Sequence, residues 1–543
     1  MDIWKYIRKE WRLNSAVFFF DIIGATCTTL FGLGSADILT EIVQLDFTAV
    51  FFWVLVLAGV SLLWAVEIFL HQKLLTSSIQ KMDADIRHDI TARLMDSGYA
   101  KFHQHNSSVY VSWLTNDINT INEDGFECIE LAMAQAVTIT MSIATIVSFH
   151  YSLIITIIIL LIIMYFVPKL FSKIMNQTSL AASKSAETAT KKISDFFSGF
   201  DDLLVMNLKR QIIKAVNQSS SLLQKSKEKQ ATASGAMLAA ANLSSLLSQT
   251  IVIGQACLLY VAKLIPIGGI SAARYFAATI FANTTGMLAN LMDAKMTAPI
   301  FEKYVSFAPK NYPQKQSSVQ LAKAAPQITL DAVTFCYHTK TVLKNCSFTF
   351  TAAKKYLLTG DSGTGKTTIL DLIALKRILQ QGNLFFGHIN YSALAPADIY
   401  EQIMYIRQKP HIFNETLRFN LTLGMPMTDE KLKNAIKASG LESLIAQLPN
   451  GLNTYLKENG ENLSGGQVQR IALARGLVQE KRIWLVDEAT SYLDLAARQD
   501  IEDRLMSLKK ITLIMVSHNI SQRLQKQADK VIRLVNGRLI QTD

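Results

Sequence analysis

The residues best suited to chemistry form a glycine-rich segment with a lysine, GDSGTGKTT, at residues 360–368. Residues 360–367 satisfy the pattern GxxxxGK[ST] between a strand-like run and a helix-like run, which is typical of a phosphate-binding loop. The glycines allow the tight turn that points backbone N–H groups at phosphate oxygens. Lys366 is expected to reach the β- and γ-phosphates of ATP, and the Thr367 hydroxyl to bind Mg²⁺. The predicted phosphate-binding residues are Gly360, Asp361, Ser362, Gly363, Thr364, Gly365, Lys366, Thr367 and Thr368.

A second group of motifs follows about 100 residues after this loop. NLSGGQVQR occupies residues 462–470, and IWLVDEATSYLD occupies residues 483–494. The order of LSGGQ and then an apolar strand ending in Asp-Glu resembles the ATP-binding cassette (ABC) proteins. The resemblance covers the whole C-terminal part and implies an α/β P-loop ATPase that uses ATP and Mg²⁺.

The resemblance also implies roles for single residues. Asp487, at the end of the apolar strand, matches a carboxylate that helps to hold Mg²⁺, and Glu488 matches the catalytic carboxylate that polarises the attacking water. Gln408 matches a glutamine that touches both Mg²⁺ and the membrane-domain contact. His518 matches the switch histidine near the γ-phosphate. With Lys366, Glu488 and His518 form the predicted catalytic set.

Two more positions match the family, and two depart from it. Tyr337 stands where an aromatic ring stacks on adenine, and Asp494 stands in the loop that crosses between paired cassettes. Tyr492 replaces the usual alanine of that loop. Residues 454–462 (TYLKENGEN) match only loosely the segment that contacts coupling helices. These departures bear on coupling and leave the ATPase chemistry intact.

The signature implies a partner subunit. Ser464, Gly465, Gly466 and Gln467 open a helix whose N-terminus holds a γ-phosphate only if another cassette offers it. The chain contains one cassette. By resemblance, two chains sandwich two ATP molecules head to tail, and both a homodimer and a heterodimer with a related half-transporter remain open.

The N-terminal part has the pattern of a membrane domain. Half of all residues are hydrophobic and 18% are charged, which is ordinary for a membrane protein. Crossing the bilayer takes about 20 apolar residues, and six such stretches lie at roughly 15–37, 49–70, 128–149, 151–168, 237–262 and 267–290. The basic N-terminus predicts a multi-pass plasma-membrane protein whose N-terminus and ATPase domain are cytoplasmic.

The net charge of +11 fits this topology. Residues 13–72 and 118–168 contain no lysine or arginine, and a basic segment lies between them. That alternation is typical of membrane topology. We therefore expect the lipid bilayer as a partner, and no nucleic acid.

Several spans are predicted to continue as helices beyond the membrane. Residues 51–95 contain no proline and one glycine, Gly59, and residues 169–235 contain no proline. The stretches 111–121 (VSWLTNDINTI) and 199–210 (GFDDLLVMNLKR) are expected near the tips of these extensions. Here the chain resembles ABC exporters, whose two intracellular loops end in short coupling helices.

Acidic residues within spans are costly and are usually functional. Asp21 and Glu67 are the clearest cases. They are interpreted either as lining a substrate cavity that favours cations, or as structural residues. In the second case each pairs with a polar neighbour or lies close enough to the membrane surface to stay hydrated.

The predicted fold is a six-helix transmembrane domain of the ABC exporter type (1–305), a linker (306–327) and an α/β ATP-binding cassette (328–543). The predicted function is alternating-access export of a peptide, lipid, drug or small metabolite, driven by ATP. An importer on the same architecture, for example for a metal–chelate complex, and an ATP-gated channel or sensor are the alternatives.

Overall fold

The computed structural model describes residues 2–307, 325–338, 340–457, 460–491, 493–517 and 520–542. Most of the predicted linker lies outside these residues. The chain divides into two compact units, Met1–Asp96 with His105–Ala308 and Ser97–Gln104 with Pro309–Asp543.

The first unit is built from long helices. In chain order, the helices that precede the linker are α1 (Ile3–Lys9), α2 (Trp11–Gln44), α3 (Phe47–Asp96), α4 (Tyr99–Phe102), α5 (Ser107–Leu114), α6 (Asn116–Thr120), α7 (Cys128–Phe149), α8 (Tyr151–Ser198), α9 (Phe200–Val205), α10 (Arg210–Val261), α11 (Gly268–Met296) and α12 (Ala298–Ser306). A π-helical segment, Ile121–Glu127, joins α6 to α7. Short α4 belongs to the second unit.

The predicted helical extensions are confirmed. Helices α3, α8 and α10 contain 50, 48 and 52 residues, far more than a membrane crossing needs. Sharp turns separate the spans: Leu45 adopts a left-handed conformation (φ 61°) after α2, and the Asp46 carboxylate accepts hydrogen bonds from the N–H groups of Thr48 and Ala49 at 3.1 Å, which caps α3.

Within the described residues, five helical segments are long and apolar enough to cross a membrane, where six were predicted. They are Trp11–Gln44, Phe47–Asp96, Ser107–Phe149, Tyr151–Ser198 and Arg210–Val261. The sixth predicted span is a helix, α11, but it is rich in Gly, Ala, Ser and Thr. Its Ala272, Phe276 and Ala277 are buried in the bundle core. Small residues permit close helix packing and lower the mean hydropathy, so α11 is an interior helix of the bundle.

Residues 111–121 begin one helical turn after the turn that ends the first extension, which fits the expectation that they lie near its tip. Helix α3 turns back at residues 97–106, and α5, α6 and the π-helical segment contain residues 111–121. Asp117 accepts a hydrogen bond from the Tyr304 hydroxyl at 2.9 Å and pairs with Lys303. The Lys303 ammonium also lies 5.0 Å from the ring centroid of Trp113. This motif therefore anchors α12, the last helix before the linker.

The second unit is an α/β domain. Its strands are β1 (Ile328–Tyr337), β2 (Lys340–Phe350), β3 (Lys355–Thr359), β4 (Gln381–Phe386), β5 (Ile389–Asn390), β6 (Ile403–Ile406), β7 (Ile483–Asp487), β8 (Thr512–Val516), β9 (Lys530–Val535) and β10 (Arg538–Thr542). Its remaining helices are α13 (Lys366–Ile373), α14 (Pro396–Gln402), α15 (Leu417–Thr422), α16 (Asp429–Ser439), α17 (Glu442–Gln447), α18 (Gly465–Val478), α19 (Leu495–Ser507) and α20 (Gln522–Gln527).

Two sheets organise this unit. One is antiparallel with the order β2-β1-β4-β5, and the other has the order β10-β9-β3-β8-β7-β6. Strands β9, β3, β8, β7 and β6 run parallel. The run Ile483–Val486 is buried throughout, as expected of a strand covered on both faces. Parallel strands place their carboxyl ends at one edge, where α/β proteins bind ligands. The predicted fold class is confirmed.

Helix α18 lies close against this sheet because it carries a glycine at the contact. A Cβ on Gly476 would lie 2.6 Å from the Trp484 ring and 2.8 Å from the Met404 side chain. Gly476→Ala is expected to lower the free energy of unfolding of this unit by about 1–3 kcal/mol through overpacking. That loss exceeds the roughly 1 kcal/mol by which alanine favours a helix.

Calorimetric unfolding of the purified chain measures the effect of this substitution. Gln499→Ala, on an exposed part of α19, is the control and should change stability by less than about 0.5 kcal/mol. An alanine variant as stable as the parent would contradict the close packing.

Candidate functional site

The predicted phosphate-binding loop joins the end of β3 to the start of α13. Its three glycines have positive φ angles, 144° at Gly360, 78° at Gly363 and 107° at Gly365, so the loop needs residues without a Cβ. Thr364 stabilises the turn, because its hydroxyl donates to the Asp361 carbonyl at 2.8 Å. Asp361 and Ser362 are exposed at the rim of the loop. The backbone of the loop therefore curves around the first turn of α13, where its N–H groups can face a phosphate.

Lys366 lies at the centre of this loop. Its ammonium donates to the carbonyl oxygens of Gly360 and Asp361 at 2.8 and 2.9 Å, and the residue is 4% exposed. Burial lowers the pKa of Lys366, while the carboxylates of Glu488, Asp361 and Asp487 oppose that change. A positive charge is therefore held where loop N–H groups converge, as anion binding requires.

Thr367 and Asp487 meet across the edge of the sheet. The Thr367 hydroxyl donates to Asp487 Oδ1 at 3.1 Å, and the Tyr405 hydroxyl donates to Asp487 Oδ2 at 3.3 Å. Burial raises the pKa of Asp487, so a cation beside it would be favourable. Adjacent oxygen ligands of an octahedral Mg²⁺ ion lie about 3 Å apart. The hydroxyl–carboxylate pair therefore fits the predicted metal-binding role.

Glu488 follows Asp487 in a strained conformation. Its φ angle is 50°, which costs a non-glycine residue about 1–3 kcal/mol and is most common at functional sites. Its N–H donates to the Val516 carbonyl of the neighbouring strand at 3.2 Å, which ties the start of this turn to the sheet. The predicted switch residue His518 lies outside the described residues, as does Tyr492.

Gln408 lies in the loop that follows β6, and helix α18 holds this loop. Gln469 donates through Nε2 to the Gln408 carbonyl at 2.8 Å. Arg475 is buried and donates to the carbonyls of Asn420 and His411 at 2.6 and 2.7 Å, and to Asn420 Oδ1 at 2.9 Å. Burial lowers the pKa of Arg475 to about 10. The helix that begins with the signature therefore positions the glutamine loop.

The same loop contacts α4, which belongs to the same unit. Arg407, next to Gln408, donates through Nη2 to the Tyr99 hydroxyl at 3.0 Å, and the Lys376 ammonium lies 5.9 Å from the Tyr99 ring centroid. Lys376 also lies over the ring of Tyr405, 3.0 Å from its centroid. Burial lowers the pKa of Lys376 to about 8. A chain of contacts thus leads from α4 to the pocket of Asp487.

Tyr337 lies beside the phosphate-binding loop. Its hydroxyl is 3.4 Å from that of Thr368 in α13, and the guanidinium of Arg377 lies 5.2 Å from its ring centroid. The ring is partly exposed. This position is compatible with the predicted contact to adenine.

The signature residues and Asp494 act locally as helix caps. Ser464 Oγ accepts from the Gln467 N–H at 3.3 Å, and Gln467 Oε1 accepts from the Ser464 N–H at 2.8 Å, which caps α18. Asp494 caps α19 by accepting from the Ala497 N–H at 2.9 Å. Among the described residues, none of residues 464–467 forms a hydrogen bond with residues 360–368. The signature is not assembled onto the loop of its own chain.

Asp21 and Glu67 lie together in the first unit, but with two partners that the sequence analysis missed. Asp21 Oδ1 is 3.0 Å from His71 Nε2, and Glu130 Oε1 is 2.9 Å from the same nitrogen. Asp21 therefore pairs with a polar neighbour, as one of the two interpretations expected. His71 follows Glu67 by one helical turn, and that spacing was the signal available in the sequence.

Other positioning residues were also missed. Arg475 interrupts the otherwise apolar run of residues 471–478 in α18, and a buried charge in such a run is a usable signal. Gln469 lies among other polar residues and gave no such signal. Tyr405, Lys376 and Tyr99 gave no signal, because their roles arise from contacts between distant segments.

Comparisons with known proteins agree with this arrangement. Residues 15–287 match the family described as ABC transporter transmembrane region, and residues 343–491 match the family described as ABC transporter. The structure of a bacterial Atm1-family ABC exporter with ATP bound superposes with a TM-score of 0.85 at 18% identity, over 98% of this chain and 94% of that chain.

Curated relatives match over shorter regions. The lactococcin-G-processing and transport ATP-binding protein LagD of Lactococcus lactis is 32% identical over 263 residues, which is 48% of this chain and 37% of that protein. The mycobactin import ATP-binding/permease protein IrtB of Mycolicibacterium smegmatis is 34% identical over 40% of this chain and 38% of its own length. An ATP-dependent lipid A-core flippase of Desulfotalea psychrophila is 31% identical over 42% of this chain and 40% of its own length. The matches thus span about two fifths of these relatives.

The position of the glutamine loop depends on Arg475. Arg475→Met keeps a long side chain but removes the donors to three acceptor atoms. The variant is expected to lose about 2–4 kcal/mol of unfolding free energy, because buried acceptors without partners are costly. Calorimetric unfolding of the second unit in the purified chain measures this loss.

Arg418→Met is the matched control for this substitution. Arg418 is exposed and pairs with Asp429 at 3.1 Å on the surface, and such pairs contribute about 0–1 kcal/mol. Equal effects of the two substitutions would contradict the role of Arg475.

Proposed function

This chain belongs to the ABC transporter family, and we propose that it is a half-transporter that hydrolyses ATP to export a substrate across the plasma membrane. The observation that carries the proposal is the convergence of Lys366, Thr367, Asp487 and Glu488 at one edge of a parallel sheet. The other unit of the chain has helices long and apolar enough to span a membrane. ATP hydrolysis at this site would therefore drive transport across that membrane. The cassette and the N-terminus would then face the cytoplasm, where ATP is available.

The proposed hydrolysis uses the residues in distinct roles. The loop N–H groups and Lys366 bind the β- and γ-phosphates of ATP. Thr367 and Asp487, with Gln408 nearby, would hold Mg²⁺, which supplies charge neutralisation at the phosphates. Glu488 accepts a hydrogen bond from a water molecule and orients it toward the γ-phosphate, and His518 is expected to contact the same phosphate. Tyr337 contacts the adenine ring.

A second cassette completes the proposed site. Ser464 and Gly465 are exposed at the N-terminus of α18, and the signature makes no hydrogen bond to the described loop of its own chain. That helix N-terminus suits the γ-phosphate of an ATP molecule bound by a partner subunit. Asp494 lies in the segment expected to cross between the cassettes. Both a homodimer and a heterodimer with a related subunit fit this arrangement.

A further surface supports assembly with a partner. Helix α9 and the residues after it form the turn between α8 and α10, and their Phe200, Leu204, Val205 and Met206 are exposed. Exposed apolar side chains at such a tip favour a protein contact. We interpret α9 as a coupling helix that a cassette covers in the dimer.

Export by alternating access is the proposed outcome. ATP closes the cassette dimer, the coupling helices transmit this closure, and the membrane helices reopen outward. Changing the ratio of closed to open cassette dimers from 1:99 to 99:1 requires that ATP bind the closed state more tightly by about 5.5 kcal/mol. Two ATP molecules held between the cassettes can supply this difference. The exporter fold, the lipid A-core flippase and the lactococcin-G-processing and transport protein favour export over import. Peptides, lipids, drugs and small metabolites are the substrate classes considered.

Glu488→Gln tests the hydrolytic role. The amide preserves shape but cannot act as a base, so ATP turnover should fall by about 100- to 10,000-fold. ATP binding should persist, and the variant should retain labelled ATP after rapid filtration. Phosphate release and nucleotide retention by the purified chain in lipid nanodiscs provide the two readouts.

Glu480→Gln is the control for this variant, because Glu480 forms an exposed pair with Lys431 at 2.9 Å. Its turnover should equal that of the parent. Parental turnover in Glu488→Gln would refute the assignment.

The direction of transport is tested in proteoliposomes with ATP added outside. Only cassettes that face outward are then energised, so an exporter accumulates substrate inside the vesicles. Fluorescent lipids, apolar peptides and cationic dyes that stimulate ATP turnover are the probes. We expect ATP-dependent accumulation of at least one probe, and none with Glu488→Gln. ATP-driven release from preloaded vesicles would instead indicate import, and ATP-gated leakage down a gradient would indicate a channel.

A further inference from the structure

Four ionisable side chains form a cluster within the membrane-spanning helices. Asp21 belongs to α2, Glu67 and His71 to α3, and Glu130 to α7. His71 Nε2 lies 3.0 Å from Asp21 Oδ1 and 2.9 Å from Glu130 Oε1. One ligand-type atom from each of Asp21, His71 and Glu130 lies within 4.8 Å of the others. We call these four residues the acid–histidine cluster.

Burial makes this concentration of charge expensive. The Asp21 side chain is 3% exposed, and the other members are buried or nearly so. With all three carboxylates ionised, the cluster carries a formal charge of −2 even when His71 is protonated. Among the described residues, no lysine or arginine pairs with any member. Buried charges of one sign need a counter-charge, particularly at membrane depth.

His71 does not provide a hydrogen-bonding partner for every carboxylate of the cluster, because Glu67 is left without one. Glu67 is 7% exposed. Within the described part of the chain, its carboxylate has no hydrogen bond and no salt bridge. It interacts electrostatically with His71, Asp21 and Glu130. Gly24 on α2 makes room for it, since a Cβ there would lie 3.3 Å from the Glu67 carboxylate. A carboxylate without a hydrogen bond or salt bridge, beside three potential ligands, is suited to interact with a cation.

The geometry suits a divalent metal ion with mixed nitrogen and oxygen ligands. Adjacent ligands at about 2.1 Å from an octahedral ion lie about 3 Å apart, and the two His71 distances of 3.0 and 2.9 Å match this separation. An imidazole ligand favours a transition metal over Mg²⁺ or Ca²⁺, and the carboxylates suit Mn²⁺, Co²⁺ and Zn²⁺. A protonated His71 that only pairs with two acids would leave Glu67 without a partner.

We propose that the acid–histidine cluster binds one divalent transition-metal ion between α2, α3 and α7. His71 binds through Nε2 once its proton is released, and Asp21 and Glu130 bind through one oxygen each. Glu67 either completes the ligand set or accepts a hydrogen bond from a water molecule on the ion. The site joins three helices, so metal occupancy would fix their relative positions. It requires neither ATP nor the cassette chemistry.

Mn²⁺ is the probe, because thiols such as those of the five free cysteines bind it weakly. Equilibrium binding to the full chain in nanodiscs is measured without nucleotide and with excess Mg²⁺ to occupy the cassette. We expect one tight site per chain. Asp21→Asn, His71→Gln and Glu130→Gln should each weaken binding by about 100-fold or more, since losing a ligand costs at least as much as losing a residue that orients one.

His88→Gln is the matched control, because its side chain is exposed and lies outside the cluster; it should bind metal like the parent. Electron spin-echo modulation of bound Mn²⁺ in the unmodified chain should detect one imidazole nitrogen, which needs no variant to fold. Absence of a tight site, absence of a nitrogen ligand, or unchanged affinity in His71→Gln would overturn the proposal.

Discussion

The hydrogen bond between Thr367 and Asp487 is the contact on which the account of the cassette depends. It exists because β3, β8 and β7 are parallel neighbours: Leu358 pairs with Val516, and Val516 pairs with Asp487. That register brings the end of β7 beside the first turn of α13. A shift of one residue would turn Asp487 to the other face of the sheet. The buried strands therefore fix a hydroxyl and a carboxylate at the spacing that a small cation needs.

Helix α18 links this edge to more distant parts of the unit. Its first residues form the signature, and its interior residues Gln469 and Arg475 hold the loop that contains Gln408. Arg407 of that loop contacts Tyr99 at the turn of the first helical extension. A movement of α18 would therefore move the glutamine loop and its contact with α4. All of these contacts lie within the second unit.

Local sequence patterns predicted the fold class, the long helices and the loop of residues 360–367. These features depend on hydrophobic periodicity and on the positions of glycines, which can be read directly from the sequence. The roles of His71 and Glu130 were missed because they meet Asp21 only after three helices pack together. The contacts of Asp117 with Lys303 and Tyr304 were also missed, because these residues lie far apart in the sequence. The burial of α11 in the bundle core was not predicted, because length and apolar content do not reveal close packing.

The most direct test of the central claim is a double-mutant cycle on Thr367 and Asp487. Mn²⁺–ATP affinity is measured for the parent, Thr367→Val, Asp487→Asn and the double variant, with metal-free ATP as the reference. If the two residues form one metal site, each change lowers Mn²⁺–ATP affinity, the double variant loses much less than the sum, and metal-free ATP binding is nearly unchanged. Fully additive losses, or equal losses with and without metal, would contradict the account.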